Sequence, residues 1–156
     1  MKKQFNKDQD RLTGSQRERL TVRNTATLPL CITRKSLKLL SNKILKALKM
    51  PSGFSLAIIF LTDRAIRALN RKYLKTGSPT DVLVFDYGNL TADMAISLDT
   101  AKRNAGIYKT SYKEEIILYL IHGVLHLAGY DDTDPQKKEK MFRKQEWLLS
   151  KLRQLY

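Results

Sequence analysis

The chain contains only two histidines, His122 and His126, and they are four residues apart. In an α-helix this spacing places both side chains on one face, one turn apart, where two imidazoles can bind one metal ion. The surrounding segment, IILYLIHGVLHLA, is otherwise apolar, so burying either ring without a partner would be unfavourable. Two unrelated histidines are the alternative, but this spacing is improbable by chance for the only pair in the chain. The pattern predicts a metal-binding helix.

A third ligand is available just after this helix. The chain turns at Gly129-Tyr130 and then supplies Asp131, Asp132 and Asp134. One carboxylate from this turn could complete a three-ligand site and leave a position for water, which is the catalytic pattern. The alternative is that these acids cap a helix beginning near Pro135, a role that suits Asp134.

The residue after His122 separates this pattern from the zinc peptidases. Their H-E-x-x-H signature places a general-base glutamate directly after the first histidine. Here that position is Gly123. The segment can hold a metal as a peptidase helix does, but it lacks the peptidase base.

The remaining sequence predicts the elements that must position this helix. Apolar periodicity, caps and breakers predict strands at 20–24, 54–61, 81–87 and 94–97, and helices at 33–49, 62–73, 99–106, 111–128 and from 135 onward. The last helix is predicted to turn Met141, Trp147, Leu148 and Leu152 inward. The predicted fold class is α+β, a single domain with a small mixed β-sheet of about four strands packed with about five helices.

The charge balance indicates contact with a polyanion. Lys and Arg number 29 against 15 Asp and Glu, a net charge of +14, which in a small domain favours nucleic acid. A solvated basic surface is the alternative that composition leaves open. Lys35, Lys38 and Lys46 lie in the acid-free helix predicted at 33–49 and are the candidate residues for binding nucleic-acid phosphates.

The sequence has no features of a membrane or disulfide-rich protein. It lacks an apolar run of about 18 residues, and its polar N-terminus lacks the apolar core of a signal peptide. The single cysteine, Cys31, excludes an internal disulfide framework and is predicted to be a buried thiol. We expect a cytoplasmic protein without a membrane partner, with a disordered basic arm at 1–18 before a folded domain at 19–156.

Three blocks of this chain resemble the YbeY endoribonuclease family. The segment HGVLHLAGYD, at 122–131, is similar to the family signature H-G-x-L-H-L-x-G-Y-D-H. The segment PTDVLVF, at 79–85, resembles the family strand P-T-D-V-L-S-F, preceded by Leu69-Asn70 and Tyr73. A weaker block, ADMAIS at 92–97, resembles G-D-I-x-I-S.

This resemblance implies an α+β fold with one divalent metal, usually zinc, at the end of a cleft. It also implies single-strand-specific RNA cleavage, maturation of the 3′ end of small-subunit rRNA, and ribosome quality control. The implied partners are an rRNA precursor and the small ribosomal subunit with its proteins.

The chain departs from the family pattern at two positions. The family's third metal ligand is a histidine directly after G-Y-D, where this chain has Asp132. A carboxylate can ligate zinc, but its negative charge should raise the pKa of metal-bound water, and the ligand set also suits other first-row metals. The family also places an arginine where this chain has Leu74. Arg71 and Lys75 are then the candidate catalytic cations, with solvated loop cations as the alternative.

The sequence therefore predicts a metal-dependent endoribonuclease with His122, His126 and Asp132 as metal ligands. The rival hypothesis is a non-catalytic ribosome-assembly factor in which the metal only braces the end of the helix. An open coordination position at the floor of a basic cleft would favour the enzyme, and a fourth protein ligand or a sealed site would favour the scaffold.

Overall fold

The computed structural model describes residues 2–4, 20–24, 27–74 and 80–156. The strands in these ranges are β1 (Lys2–Gln4), β2 (Leu20–Asn24), β3 (Ser55–Leu61), β4 (Val82–Gly88) and β5 (Thr91–Ser97). The helices are α1 (Arg34–Ala47), α2 (Asp63–Leu74), α3 (Leu98–Tyr108), α4 (Tyr112–Leu127) and α5 (Pro135–Leu152), and a 3₁₀ turn follows at Arg153–Leu155.

The strands form one mixed sheet in the order β1-β4-β5-β3-β2. The β4–β5 pair is antiparallel, and the other three pairs are parallel. The α+β prediction is confirmed, with five strands among the described residues in place of about four. The additional strand, β1, falls within the segment predicted to be a disordered arm. The rest of that prediction lies outside the described residues.

The sheet separates two apolar layers because successive side chains of a strand point to opposite faces. On β4, Val82 and Val84 join the larger core with α1, α3, α4 and α5. Leu83 and Phe85 join a smaller cluster with α2 on the other face. The helix that carries the two histidines therefore lies across the sheet from α2.

The central helix, α4, is buried on nearly all sides, which agrees with its continuous apolar sequence. Ser111 and Glu114 form a capping box at its start. Gly129, at φ +89°, lets the chain leave the helix in a left-handed conformation. Both histidines consequently occupy the last two turns of a helix that core packing holds in place. Within the described ranges, no helix is long and apolar enough to cross a membrane.

Two predictions of burial are wrong. Trp147 is exposed, because the buried stripe of α5 runs through Met141, Leu148 and Leu152 and a residue next to Leu148 is rotated by about 100° from it. Cys31 is exposed at the turn before α1, where Ile32 is the residue that enters the core.

Candidate metal centre

The two histidine rings meet edge to face at the end of α4. Their Nε2 atoms are 3.2 Å apart, and the ring centroids are 4.7 Å apart with an interplanar angle of 88°. The sequence prediction that one helical face brings both imidazoles together is therefore fulfilled in geometry. The ring of His126 is only 3% exposed, whereas His122 borders solvent.

The outer nitrogen of each ring faces an oxygen atom. His122 Nδ1 lies 3.0 Å from the side-chain Oε1 of Gln145, and His126 Nδ1 lies 3.2 Å from the backbone carbonyl oxygen of Tyr130. Since a carbonyl oxygen only accepts hydrogen bonds, each Nδ1 carries the proton and donates. Both Nε2 lone pairs then point at one another, an arrangement that a shared cation would stabilise.

Asp132 supplies the third ligand group. Its carboxylate oxygens lie 3.9 Å from His122 Nε2 and 4.0 Å from His126 Nε2. The ligand atoms of His122, His126 and Asp132 all lie within 4.8 Å of one another. Among the described residues, no other group of three or more potential metal ligands is this close together. The side chain of Asp132 is 40% exposed, so one side of the ligand group faces solvent.

The donor set fits a tetrahedral ion. Zinc about 2.0–2.1 Å from each ligand nitrogen separates two such nitrogens by about 3.3 Å, close to the observed 3.2 Å. The Asp132 carboxylate lies about half an ångström outside the same geometry, on the solvent side where it has room to approach. Two imidazoles and one carboxylate also suit other first-row divalent ions.

The neighbouring acids have structural roles. Asp131 accepts hydrogen bonds from the backbone N–H of Asp132 and Thr133, from the Thr133 hydroxyl and from Lys137. The Thr133 and Lys137 hydrogen bonds lower the pKa of Asp131 to about 2. Asp134 caps α5 by accepting from the backbone N–H of Lys137, which is the role that its sequence position suggested. Asp132 remains as the acid of this turn that faces the histidines.

Burial keeps His126 neutral. Desolvation lowers the pKa of His126 below its usual value, and the adjacent His122 imidazole adds to the effect. A neutral imidazole is the form that binds a metal. Its nitrogen is therefore ready for coordination near pH 7.

Gly123 brings α4 against the sheet beneath the two histidines. A Cβ atom at this position would lie 2.6 Å from Cε and 3.0 Å from Sδ of Met94, and 3.2 Å from Cγ2 of Val82. No side chain fits there without displacing a fully buried neighbour. The absence of the peptidase glutamate thus has a steric cause in this fold.

The site opens into a cleft of about 680 Å³. Its walls come from α5, from the end of α3 and from the residue before β4. The described lining residues are Asp81, Tyr108, His122, Asp132, Pro135, Lys138, Glu139, Met141, Phe142 and Gln145. Among the described lining residues, three are carboxylates and one is a lysine, so this part of the cleft is not basic. A cation at the histidines would make it more attractive to phosphate.

Of the other predicted site residues, the four that the structure describes do not line this cleft. Arg71 is exposed in the last turn of α2, on the far face of the sheet. Lys75 lies outside the described residues, in a segment that leads into Thr80 and Asp81. Lys35 and Lys46 are exposed on α1, with Lys38 half-buried beside them.

Sequence reasoning missed Gln145. This side chain is 9% exposed and interrupts the apolar stripe of α5 four residues after Met141 and three before Leu148. A polar residue at a buried helical position needs a partner, and that is the signal that could have identified it. Which partner it meets depends on how α5 packs on α4, and periodicity alone does not reveal this.

The chain has an α+β fold in which two histidines of one helix and one carboxylate lie beside an open cleft. This arrangement defines a protein with a candidate metal centre of the catalytic type. The family model described as Endoribonuclease YbeY matches residues 22–153, and the chain belongs to this family.

Curated relatives support the same assignment. The chain is 42% identical over 107 residues to Endoribonuclease YbeY of Myxococcus xanthus, with 63% of this chain and 36% of the relative covered. It is 44% identical over 89 residues to Endoribonuclease YbeY of Bacteroides fragilis, with 55% and 64% covered. The match to Endoribonuclease YbeY of Pelotomaculum thermopropionicum is 34% over 123 residues, covering 72% and 81%. The chain thus spans less than two thirds of the first two relatives.

A solved structure shares the fold. The solution structure of a protein from Thermotoga maritima matches with a TM-score of 0.59 and 25% identity, covering 83% of this chain and 86% of that one. The likeness extends over most of both chains.

Proposed function

We propose that this protein is a metal-dependent endoribonuclease that cleaves single-stranded RNA during late maturation of the small-subunit rRNA 3′ end and in ribosome quality control. We place this activity in the cytoplasm, with the rRNA precursor and the small subunit as partners. The observation that carries the proposal is the convergence of two imidazole Nε2 atoms, 3.2 Å apart, with Asp132 in an open cleft.

The residues of the site prepare it for hydrolysis of a phosphodiester. A divalent ion held by His122, His126 and Asp132, which we propose to be zinc, would polarise a phosphoryl oxygen or activate water. Gln145 and the Tyr130 carbonyl orient the two imidazoles through their Nδ1 atoms. Asp132 adds one negative charge and leaves the solvent side of the site open.

Cations would bind the phosphates around this centre. Lys138 lines the cleft itself and is the described lysine best placed to face a phosphate beside the scissile bond. Lys35, Lys38 and Lys46 on α1 are proposed to contact the RNA backbone farther from the reaction. We also propose Arg71 and Lys75 as candidate catalytic cations. Because Arg71 lies on the face of the sheet opposite the histidines, Lys75 is the better candidate of the two.

The open side of the ligand group favours the enzyme over a scaffold with a structural metal, although the described lining does not supply the basic floor that would also have favoured it. A structural zinc site is closed by four protein ligands, whereas the group here has three members among residues 2–4, 20–24, 27–74 and 80–156. We place the scaffold hypothesis second because no specific contact in the described ranges supports it.

The test compares cleavage of a single-stranded rRNA fragment by purified wild type and His126→Ala, each with and without a chelator. We expect cleavage only by wild type with metal, together with close to one metal ion per chain by elemental analysis. Equal rates in all four samples would point to a contaminating nuclease and contradict the proposal. Metal binding without cleavage would favour the scaffold.

A further inference from the structure

Two exposed aromatic rings line the cleft that holds the candidate metal centre. Tyr108, the last residue of α3, is 67% exposed, and Phe142, in the second turn of α5, is 56% exposed. Both rings line the same cavity as His122 and Asp132. They come from two helices that pack on α4, so the histidine helix fixes their positions relative to the site.

The charge of the cleft lining leaves a role for these rings. Among the described lining residues, Asp81, Asp132 and Glu139 outnumber Lys138, so this part of the lining attracts a phosphate backbone only weakly unless a bound ion reverses the local charge. Contacts to the bases would give RNA an affinity for this part of the cleft that does not depend on phosphate charge. An aromatic face stacks on any base and contributes about 1–3 kcal/mol per base in single-strand binding proteins.

Stacking on a protein ring also requires a base that has left its own stack. Bases in a duplex are covered above and below by their neighbours, whereas those of a single strand can be splayed apart. Rings beside the reaction centre would therefore admit single strands and disfavour duplexes without reading the sequence.

We propose that Tyr108 and Phe142 are stacking platforms for unpaired nucleobases that flank the scissile phosphate, and that they restrict this site to single-stranded RNA. The inference rests on the proposed function for the identity of the ligand. It goes further by assigning a binding role to two residues that lie outside the metal centre.

The first experiment measures binding separately from cleavage. A single-stranded oligoribonucleotide that contains 2-aminopurine and cleavage-resistant linkages is titrated with the metal-loaded full chain, and quenching of the base reports stacking. We expect Tyr108→Ser and Phe142→Ser each to weaken binding about fivefold or more and to reduce the quench. Tyr108→Phe and Phe142→Trp should preserve both signals. Ile107→Ser is the matched control, since Ile107 is exposed next to Tyr108 but does not line the cleft.

A second binding measurement tests the pairing of ring and base. An abasic site introduced at the quenched position should weaken binding to wild type but add little to the loss in Phe142→Ser or in Tyr108→Ser. Unchanged affinity and quench in the Tyr108→Ser/Phe142→Ser double variant would overturn the proposal.

Cleavage by the metal-loaded protein separates this inference from the proposed function. The double variant should raise KM for single-stranded RNA with little change in kcat, and its ratio of single-strand to duplex cleavage should fall. Normal KM and an unchanged ratio would contradict the inference while leaving the nuclease proposal intact. If wild type quenches the base through the two rings but cleaves no RNA, the stacking inference would hold and the nuclease proposal would be contradicted.

Discussion

The side-chain amide oxygen of Gln145 lies 3.0 Å from Nδ1 of His122, a contact between α5 and α4 across 23 residues of sequence. It fixes which nitrogen of His122 carries the proton and leaves Nε2 directed at His126 and Asp132. The packing of α5 is in this way coupled to the candidate metal centre.

Removing this contact should weaken metal binding. Gln145→Leu keeps the approximate size of the side chain but removes the acceptor, and loss of such an outer partner typically costs about 10–100-fold in metal affinity. Competition for zinc with a chromophoric chelator measures the effect. Gln145→Glu should retain or increase affinity because it still accepts the hydrogen bond. Gln154→Leu, at an exposed glutamine, is the control and should bind as wild type. Wild-type affinity in Gln145→Leu would show that Gln145 does not position His122.

Replacing Asp132 by histidine should strengthen catalysis at the proposed centre. The imidazole is neutral, so more positive charge stays on the ion than with the carboxylate, and its longer reach covers the 3.9–4.0 Å separation seen for Asp132. We expect Asp132→His to bind metal at least as tightly and to cleave single-stranded RNA several-fold faster, whereas Asp132→Ala should lose metal. Elemental analysis and initial rates provide the measurements. Full metal content in Asp132→Ala would exclude Asp132 as a ligand.

Asp63 should make folding stability dependent on pH in the acid range. Burial raises the pKa of Asp63, but hydrogen bonds from Ser97, Arg103 and Thr100 outweigh it and hold the pKa below the usual 3.8. Because the folded state favours the ionised carboxylate, this stabilisation is present above pH 3.8 and is lost as the pH falls through the folded pKa.

Urea unfolding of Asp63→Asn at two pH values tests this linkage. The variant should lose about 1–3 kcal/mol of unfolding free energy at pH 7, because the bonds that join α2 to the start of α3 are weakened. The difference from wild type should shrink at pH 3. A deficit that is the same at both pH values would rule out the carboxylate charge as its cause.

Gly123→Ala should destabilise the protein although alanine is the better helix former. Alanine gains about 1 kcal/mol in helix propensity, but its Cβ overlaps Met94 and crowds Val82, and overpacking of a core costs about 1–3 kcal/mol. Thermal unfolding should therefore show a net loss of up to about 2 kcal/mol. Gly106→Ala is the matched control, because a Cβ there meets nothing within 4 Å and only the propensity gain remains.

The steric origin of the Gly123 effect can be checked by a double-mutant cycle. Met94→Ala removes the overlapping atoms, so the Gly123→Ala/Met94→Ala variant should be less destabilised than the sum of the single variants. Additive losses would mean that Met94 is not the obstacle.

The sequence was most informative where the relevant interactions are local. The spacing of His122 and His126 predicts their shared face because helix geometry alone decides it, and Thr33, Ser111 and Asp134 mark helix starts by hydrogen bonds within three residues. The family resemblance adds Asp132, which the structure brings to the histidines.

The features that sequence reasoning missed depend on contacts between distant elements. Gln145 reaches His122 only because α5 packs on α4, and the cleft combines rings from α3 and α5. The prediction that Trp147 is buried is wrong because the sequence alone does not distinguish an apolar residue beside the buried stripe of a helix from one within it. The orientation of α5 on the core decides this. Net charge does not say where the charges lie, so the three carboxylates in the described lining of the cleft could not be foreseen.

The close approach at Gly123 also constrains how this protein could change during evolution. A glutamate at that position would give the helix the full peptidase signature, yet it would have to displace Met94 and Val82 from the sheet beneath. A single substitution that creates the signature would therefore be eliminated through loss of folding before any gain in activity could be selected. Descendants of this fold can alter the third ligand or the cleft walls far more readily than they can acquire a base between the two histidines.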